Sequence, residues 1–188
     1  MSECPLPASF ATPPQALKML TRLQQESAGN ACHGLVAISL KPNATLLRLT
    51  PENTARLHEE ISLRLTQALR EQDTLYALGV WEWLAVLPHL PSPASVSFAM
   101  LKLHRIFQQS PPRIEGQEAS LQPVCGSAIC PDHGDDPQHL LQSARIAALY
   151  ACQQGEWMAI YQPDMERGGR ESADLIRQLQ SALLEDQL

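Results

Sequence analysis

Residues 74–90 force the chain to reverse direction. Two short apolar segments, 74–78 and 82–87, stand on either side of Gly79-Val80-Trp81. Such a pair around a glycine predicts a β-hairpin with those three residues at its tip. A hairpin is antiparallel, so no sheet that contains it is wholly parallel. Helical and strand patterns alternate elsewhere, and together they predict an α/β (α+β) fold: a mixed, mainly antiparallel central sheet covered by helices.

The helix boundaries follow from local chemistry. Thr12, Pro13, Pro14 and Gln15 combine an N-cap hydroxyl, first-turn prolines and a capping-box glutamine, predicting a helix over 13–27. Residues 34–40 (GLVAISL), bounded by Gly34 and Pro42, have the pattern of a buried strand. Thr50-Pro51 repeats the cap, and Leu57, Ile61, Leu65 and Leu69 follow at four-residue spacing on one face of a helix ending near Arg70. After Pro91-Ser92-Pro93, Val96, Met100, Leu103 and Phe107 predict a helix to Gln109. Residues 121–130 read as a strand, and Asp136-Pro137 caps a helix carrying Leu140, Leu141, Ala144, Ala148 and Ala151. Residues 157–161 read as a closing strand. Leu175, Ile176, Leu179 and Leu183 mark a last helix over about 170–185, after the polar stretch 164–169.

Charge and cysteine usage exclude several classes. A formal charge of −6 with a pI of about 5.5 argues against an extended nucleic-acid surface. The most apolar run, 75–90, is interrupted by Glu82, Pro88 and His89, so no membrane span is expected, and a cytoplasmic chain is. Cys4, Cys32, Cys125, Cys130 and Cys152 are odd in number and form no C-x-x-C pair, which points to reduced, packed thiols. Cys125, Cys130 and His133 match no standard zinc spacing, and Asp132, Asp135 and Asp136 read as a polar loop with a helix cap.

Several spaced residues resemble the GGDEF family of diguanylate cyclases. Its members carry R-x-x-D-x-x-x-R-x-G-G-D-E-F-x-x-L-L-P. Here Arg70, Asp73, Ala77, Gly79, Val80, Trp81, Glu82, Trp83, Leu87 and Pro88 stand in the same frame without a gap. The family's S-x-G-x-A-x-x-P-x-x-G resembles Val124, Gly126, Ala128, Pro131 and Gly134. Its L-L-x-x-A-D-x-A-x-Y-x-A-K-x-x-G resembles Leu140, Leu141, Ala144, Arg145, Ala147, Tyr150, Ala151, Cys152 and Gly155. The resemblance implies the nucleotidyl cyclase-like fold. It divides the chain into an arm and helix over 1–33, a degenerate GGDEF domain over 34–163, and a linker helix over 164–188. The last resembles the linker that leads from a GGDEF domain into an EAL phosphodiesterase domain.

The same comparison implies that the chemistry is gone. Joining two GTP molecules needs divalent metal on the phosphates and carboxylates to hold it. The family's D-x-D at the end of the opening strand falls near Ser39 and Lys41, or Ile38 or Leu40 on a shifted alignment, and none is an acid. The signature's third-position carboxylate is Trp81, its second glycine is Val80, the late lysine is Cys152, and the AD pair reads Ala144-Arg145. Glu82 alone survives. The β-branched Val80 resists the positive φ of a primed turn, and Gly79 is expected to be kept for turn geometry. The expectation is therefore an inactive module with no catalytic residues, no metal and no cofactor.

Arg70-x-x-Asp73 stands where family members carry the product-binding inhibitory site. An arginine fork can take phosphate or a guanine edge, and an aspartate can accept from guanine N1 and its amino group, so the pair fits a cyclic-di-GMP clamp. Equally, Arg70 can complement the negative end of its helix while Asp73 solvates the turn. Lys102 and Arg105 either add charge to such a site or form a solvated face. Trp81 and Trp83, on either side of Glu82, are expected to face opposite sides of the hairpin, where Trp81 fills the vacated pocket, anchors a partner or packs ordinarily. Three functions stay open: a cyclic-di-GMP receptor module, a nucleotide-independent dimerisation or docking scaffold for an EAL domain, and a pocket with residual GTP binding.

Overall fold

Strand β1 (Cys32–Leu40) is apolar along nearly its whole length and almost entirely buried, because it lies mid-sheet with a helical layer on each face. The computed structural model describes residues 13–26, 31–41, 44–114, 116–119 and 121–166. Around β1 stand α1 (Pro13–Glu26), α2 (Ala44–Leu47), α3 (Pro51–Ala68), β2 (Thr74–Gly79), β3 (Glu82–Leu90) and α4 (Ser95–Gln109). They are followed by β4 (Arg113–Ile114), β5 (Gln117–Glu118), β6 (Pro123–Cys130), α5 (Pro137–Gln154) and β7 (Met158–Ile160). The five-stranded sheet has the order β2-β3-β1-β6-β7. Its pairings are antiparallel except β6 with β7, which is parallel. The mixed, mainly antiparallel sheet is thus as the sequence predicts. Thr12 and the helix expected over 170–185 lie outside the described residues.

Strand parity sorts the core. Val36, Ile38, Trp83, Ala85, Leu87, Cys125 and Ile129 face α3 and α4. Leu35, Ala37, Leu84, Val86, Ala128 and Cys130 face α1 and α5. The helices present matching stripes: Leu57, Ile61 and Leu65 on α3, and Val96, Met100, Leu103 and Phe107 on α4. Two of the three expected caps lie in the described residues and form, Thr50 Oγ1 accepting from the Asn53 N–H at 3.3 Å and the Asp136 carboxylate from the His139 N–H at 2.7 Å.

The sheet and α5 meet at Gly126. A Cβ there would lie 2.0 Å from the Ala148 nitrogen and 2.3 Å from the Ala144 oxygen, so the α5 backbone rests directly on β6. The alanines of α5 form the side of the helix that allows this approach.

Two expectations about the hairpin are corrected. Trp81 and Trp83 both pack on the α3 side, because residues two apart on a strand share a face. Neither Gly79 nor Val80 has positive φ, since His89 is the non-glycine residue with that conformation and the positive-φ glycines are Gly116, Gly134 and Gly155. The chain turns at Val80-Trp81 with a register shift between Ala77 and Gly79. A Cβ at Gly79 would meet only ordinary contacts, the nearest at 3.8 Å, so turn geometry does not demand glycine there. Helix α3 ends at Ala68 with Leu69 as C-cap, near Arg70 as expected.

Candidate functional site

The hairpin carries candidate residues at both ends. At its tip, Ser39 of β1 pairs across the ladder with Glu82, and the Leu40 N–H donates to the Trp81 carbonyl at 3.0 Å. The end of the opening strand therefore lies beside the signature residues, as the sequence implies. Glu82 takes a partner from α5: Arg145 donates from Nε to Oε1 at 2.6 Å and from Nη2 to Oε2 at 2.9 Å. This bidentate geometry uses both carboxylate oxygens.

The tip is secured from beneath by α3. The Trp83 Nε1–H donates to Ser62 Oγ at 2.8 Å, and the Ser62 hydroxyl donates to the His58 carbonyl at 2.8 Å. The buried His58 ring lies 4.9 Å from the Trp83 ring and 6.5 Å from that of Trp81. Burial holds the His58 imidazole below its ordinary pKa, against smaller opposing effects from the Gly79 backbone and Glu59. Both indoles thus belong to the packing of α3 on the hairpin, the plainest of the roles the sequence leaves open for Trp81.

Ser39, Leu40, Val80 and Trp81 supply no carboxylate, Glu82 is held by Arg145, and among the described residues no group of three His, Cys, Asp or Glu side chains could hold a metal ion. Cys152 takes the late-helix position at the end of α5. Cys125 and Cys130 face opposite sides of β6, and burial pushes the Cys125 thiol up to about 12. His133 Nδ1 accepts from the Ile129 N–H at 3.0 Å.

The other end of the hairpin is built around a bulge. Cys32 pairs with Leu90 and Gly34 with Leu87, so β3 carries one extra residue around Pro88 and His89. His89 adopts φ 49° there, and its N–H donates to His33 Nδ1 at 3.2 Å. Arg70 closes on this bulge. Its Nη2 donates to the Pro88 carbonyl at 3.1 Å and to Asp73 Oδ1 at 2.7 Å, while its backbone N–H donates to Asp73 Oδ2 at 2.8 Å. Asp73 holds the turn at the end of α3, with its side chain only 3% exposed, while Arg70 remains 41% exposed.

Arg70 and Asp73 also line a cavity of about 320 Å³ with Leu87, Leu90, Phe98 and Lys102. Lys102 thus joins the site as the sequence allowed, whereas Arg105 is not among the lining residues. Local spacing gave no reason to single out Phe98, since it lies off the buried stripe of α4. A second cavity, about 700 Å³, lies beside Lys41, where His104 and Trp157 stack at 4.3 Å, and it contains none of the signature residues.

Comparison with known proteins places this geometry. The family described as "Diguanylate cyclase, GGDEF domain" matches residues 55–158. Among solved structures, the GGDEF domain of TpbB (YfiN) from Pseudomonas aeruginosa superposes with a TM-score of 0.78 at 22% identity, covering 86% of this chain and 96% of that one. The GGDEF domain of DgcB from Caulobacter crescentus, solved in complex with c-di-GMP, gives 0.68 at 11% identity, with 81% and 90% covered. An EAL/GGDEF domain protein from M. capsulatus gives 0.65 at 18%, with 71% and 87% covered. Among curated proteins no relative matches. At these identities the structural likeness establishes the fold.

Proposed function

Because the chain belongs to the GGDEF domain family, we propose that it is a catalytically inactive regulatory module of cyclic-di-GMP signalling. The observation that carries this reading is the Arg145–Glu82 pair. A guanidinium occupies both oxygens of the one signature carboxylate left, in a place where cyclase chemistry would need acids free to hold metal against phosphate. The Arg70-Asp73 turn is the ligand site of this reading, with Arg70 exposed at the rim of a cavity and Lys102 beside it. The complex of the DgcB domain with c-di-GMP supports a search for the same ligand here.

A second reading is a nucleotide-independent dimerisation or docking scaffold. It is favoured by one specific observation: Asp73 and Arg70 already satisfy each other, and Arg70 also holds the Pro88 carbonyl. In either case the module works in the cytoplasm beside an attached or partner EAL domain, with residues 34–163 as the domain and 164–188 as the link. The EAL/GGDEF neighbour supports that pairing. In the described residues no helix is long and apolar enough to cross a membrane.

Calorimetric titration with cyclic-di-GMP, alongside GTP with magnesium, separates the readings. Saturable cyclic-di-GMP binding that disappears in Arg70→Ala supports the receptor. An absence of heat with either nucleotide leaves the scaffold, and formation of cyclic-di-GMP from GTP would overturn inactivity itself.

A further inference from the structure

Phe98 is 72% exposed on α4, yet it lines the cavity that holds Arg70 and Asp73. Lys102 lies one helical turn beyond it, on the same face, and lines the cavity too. Among the described residues Lys102 makes no ion pair. A large aromatic ring left in water beside an unpaired cation serves no packing purpose in the fold: the buried stripe of α4 is Val96, Met100, Leu103 and Phe107, and Phe98 is not part of it. A single exposed apolar side chain is ordinary on a protein surface; what sets Phe98 apart is its place in the lining of the cavity that also holds Arg70, Asp73 and Lys102.

The chemistry of the three side chains is complementary to a cyclic purine dinucleotide. A Phe ring offers a π-face that any base can stack on, an ammonium offers a point charge to phosphate, and a guanidinium reads a purine edge or phosphate. We infer that Phe98 is the stacking platform for one base of a cyclic dinucleotide bound at the Arg70 turn, with Lys102 meeting a phosphate. This rests on the receptor reading and deepens it. It assigns base-independent affinity to Phe98 and Lys102 and leaves discrimination between bases to Arg70.

The test is titration of the full chain and its Phe98→Ala, Phe98→Trp and Lys102→Ala variants with cyclic-di-GMP, with melting temperatures measured in parallel. Loss of one stacked base weakens binding by about tenfold or more. The expected result is therefore such a loss in Phe98→Ala, recovery in Phe98→Trp with an indole signal that changes on binding, and unchanged melting. Lys102→Ala should weaken binding and flatten its salt dependence. If the unaltered chain binds and Phe98→Ala binds equally well, this inference fails while the receptor reading stands. If the unaltered chain does not bind, both fail together.

Discussion

The two ends of the hairpin hold the same kind of chemistry, an arginine fork on a carboxylate, in opposite settings. At the tip, Arg145 reaches Glu82 across 63 residues of sequence, and the two side chains remain 45% and 31% exposed. At the base, Arg70 and Asp73 are neighbours in one turn, the carboxylate is buried, and the guanidinium also grips a backbone carbonyl. The tip pair takes up both oxygens of Glu82. The base pair leaves its arginine at the rim of a cavity. Identity of contact therefore says little about role, and burial and what lies alongside decide it.

The comparison can be broken most severely at Gly126. In Gly126→Ala the new methyl meets α5 backbone atoms that cannot swing away, so the helix must lift. The expected loss is about 3 kcal/mol or more in urea unfolding, with the tip pair disrupted and the base pair intact. Asp73→Ala comes next. It leaves the Arg70 N–H and guanidinium without their acceptor and should cost about 1–3 kcal/mol.

Acid acts on the bulge at the base through His33. Burial, reinforced by the charge of His89, holds its imidazole below the ordinary histidine value. The unfolded chain then binds more protons than the fold below about pH 6.5, so this contribution is present above that pH and is lost as pH falls toward the folded-state value. The urea midpoint should decline from pH 7 to 5, and less steeply in His33→Asn, which keeps an acceptor for the His89 N–H but cannot titrate. The smallest effect is expected for Arg145→Ala. Its pair is exposed, so a double-mutant cycle with Glu82→Ala should give at most about 1 kcal/mol. A larger coupling would mean that the tip is held by its ion pair and not by the packing of Trp83 on α3.

Much of this architecture was legible because its signals are local. Thr50-Pro51 with its apolar stripe, Asp136-Pro137, and two apolar runs around Gly79 each fix an element within a few residues. The small pieces were not legible: α2 has four residues and β4 and β5 have two each, too few for any period to register. The face shared by Trp81 and Trp83 is set by their two-residue spacing. The form of the turn at Val80 is not legible locally, because a register shift lets the chain reverse without left-handed backbone. Arg145 was visible only as a lost aspartate. Its partnership with Glu82 depends on α5 packing across the face of the sheet, although the opposite charges of the surviving Glu82 and the altered position at Arg145 are a usable hint. Phe98 was silent because an apolar residue off a helix stripe carries no periodic signal, and its meaning lies in what α3 and β3 bring beside it.

The close approach at Gly126 has a mechanical consequence. A helix whose backbone rests on a strand cannot slide along it or roll over it without collision, because no flexible side chain separates the two. Strand β6 and helix α5 are therefore expected to move as one body, carrying Arg145 with them.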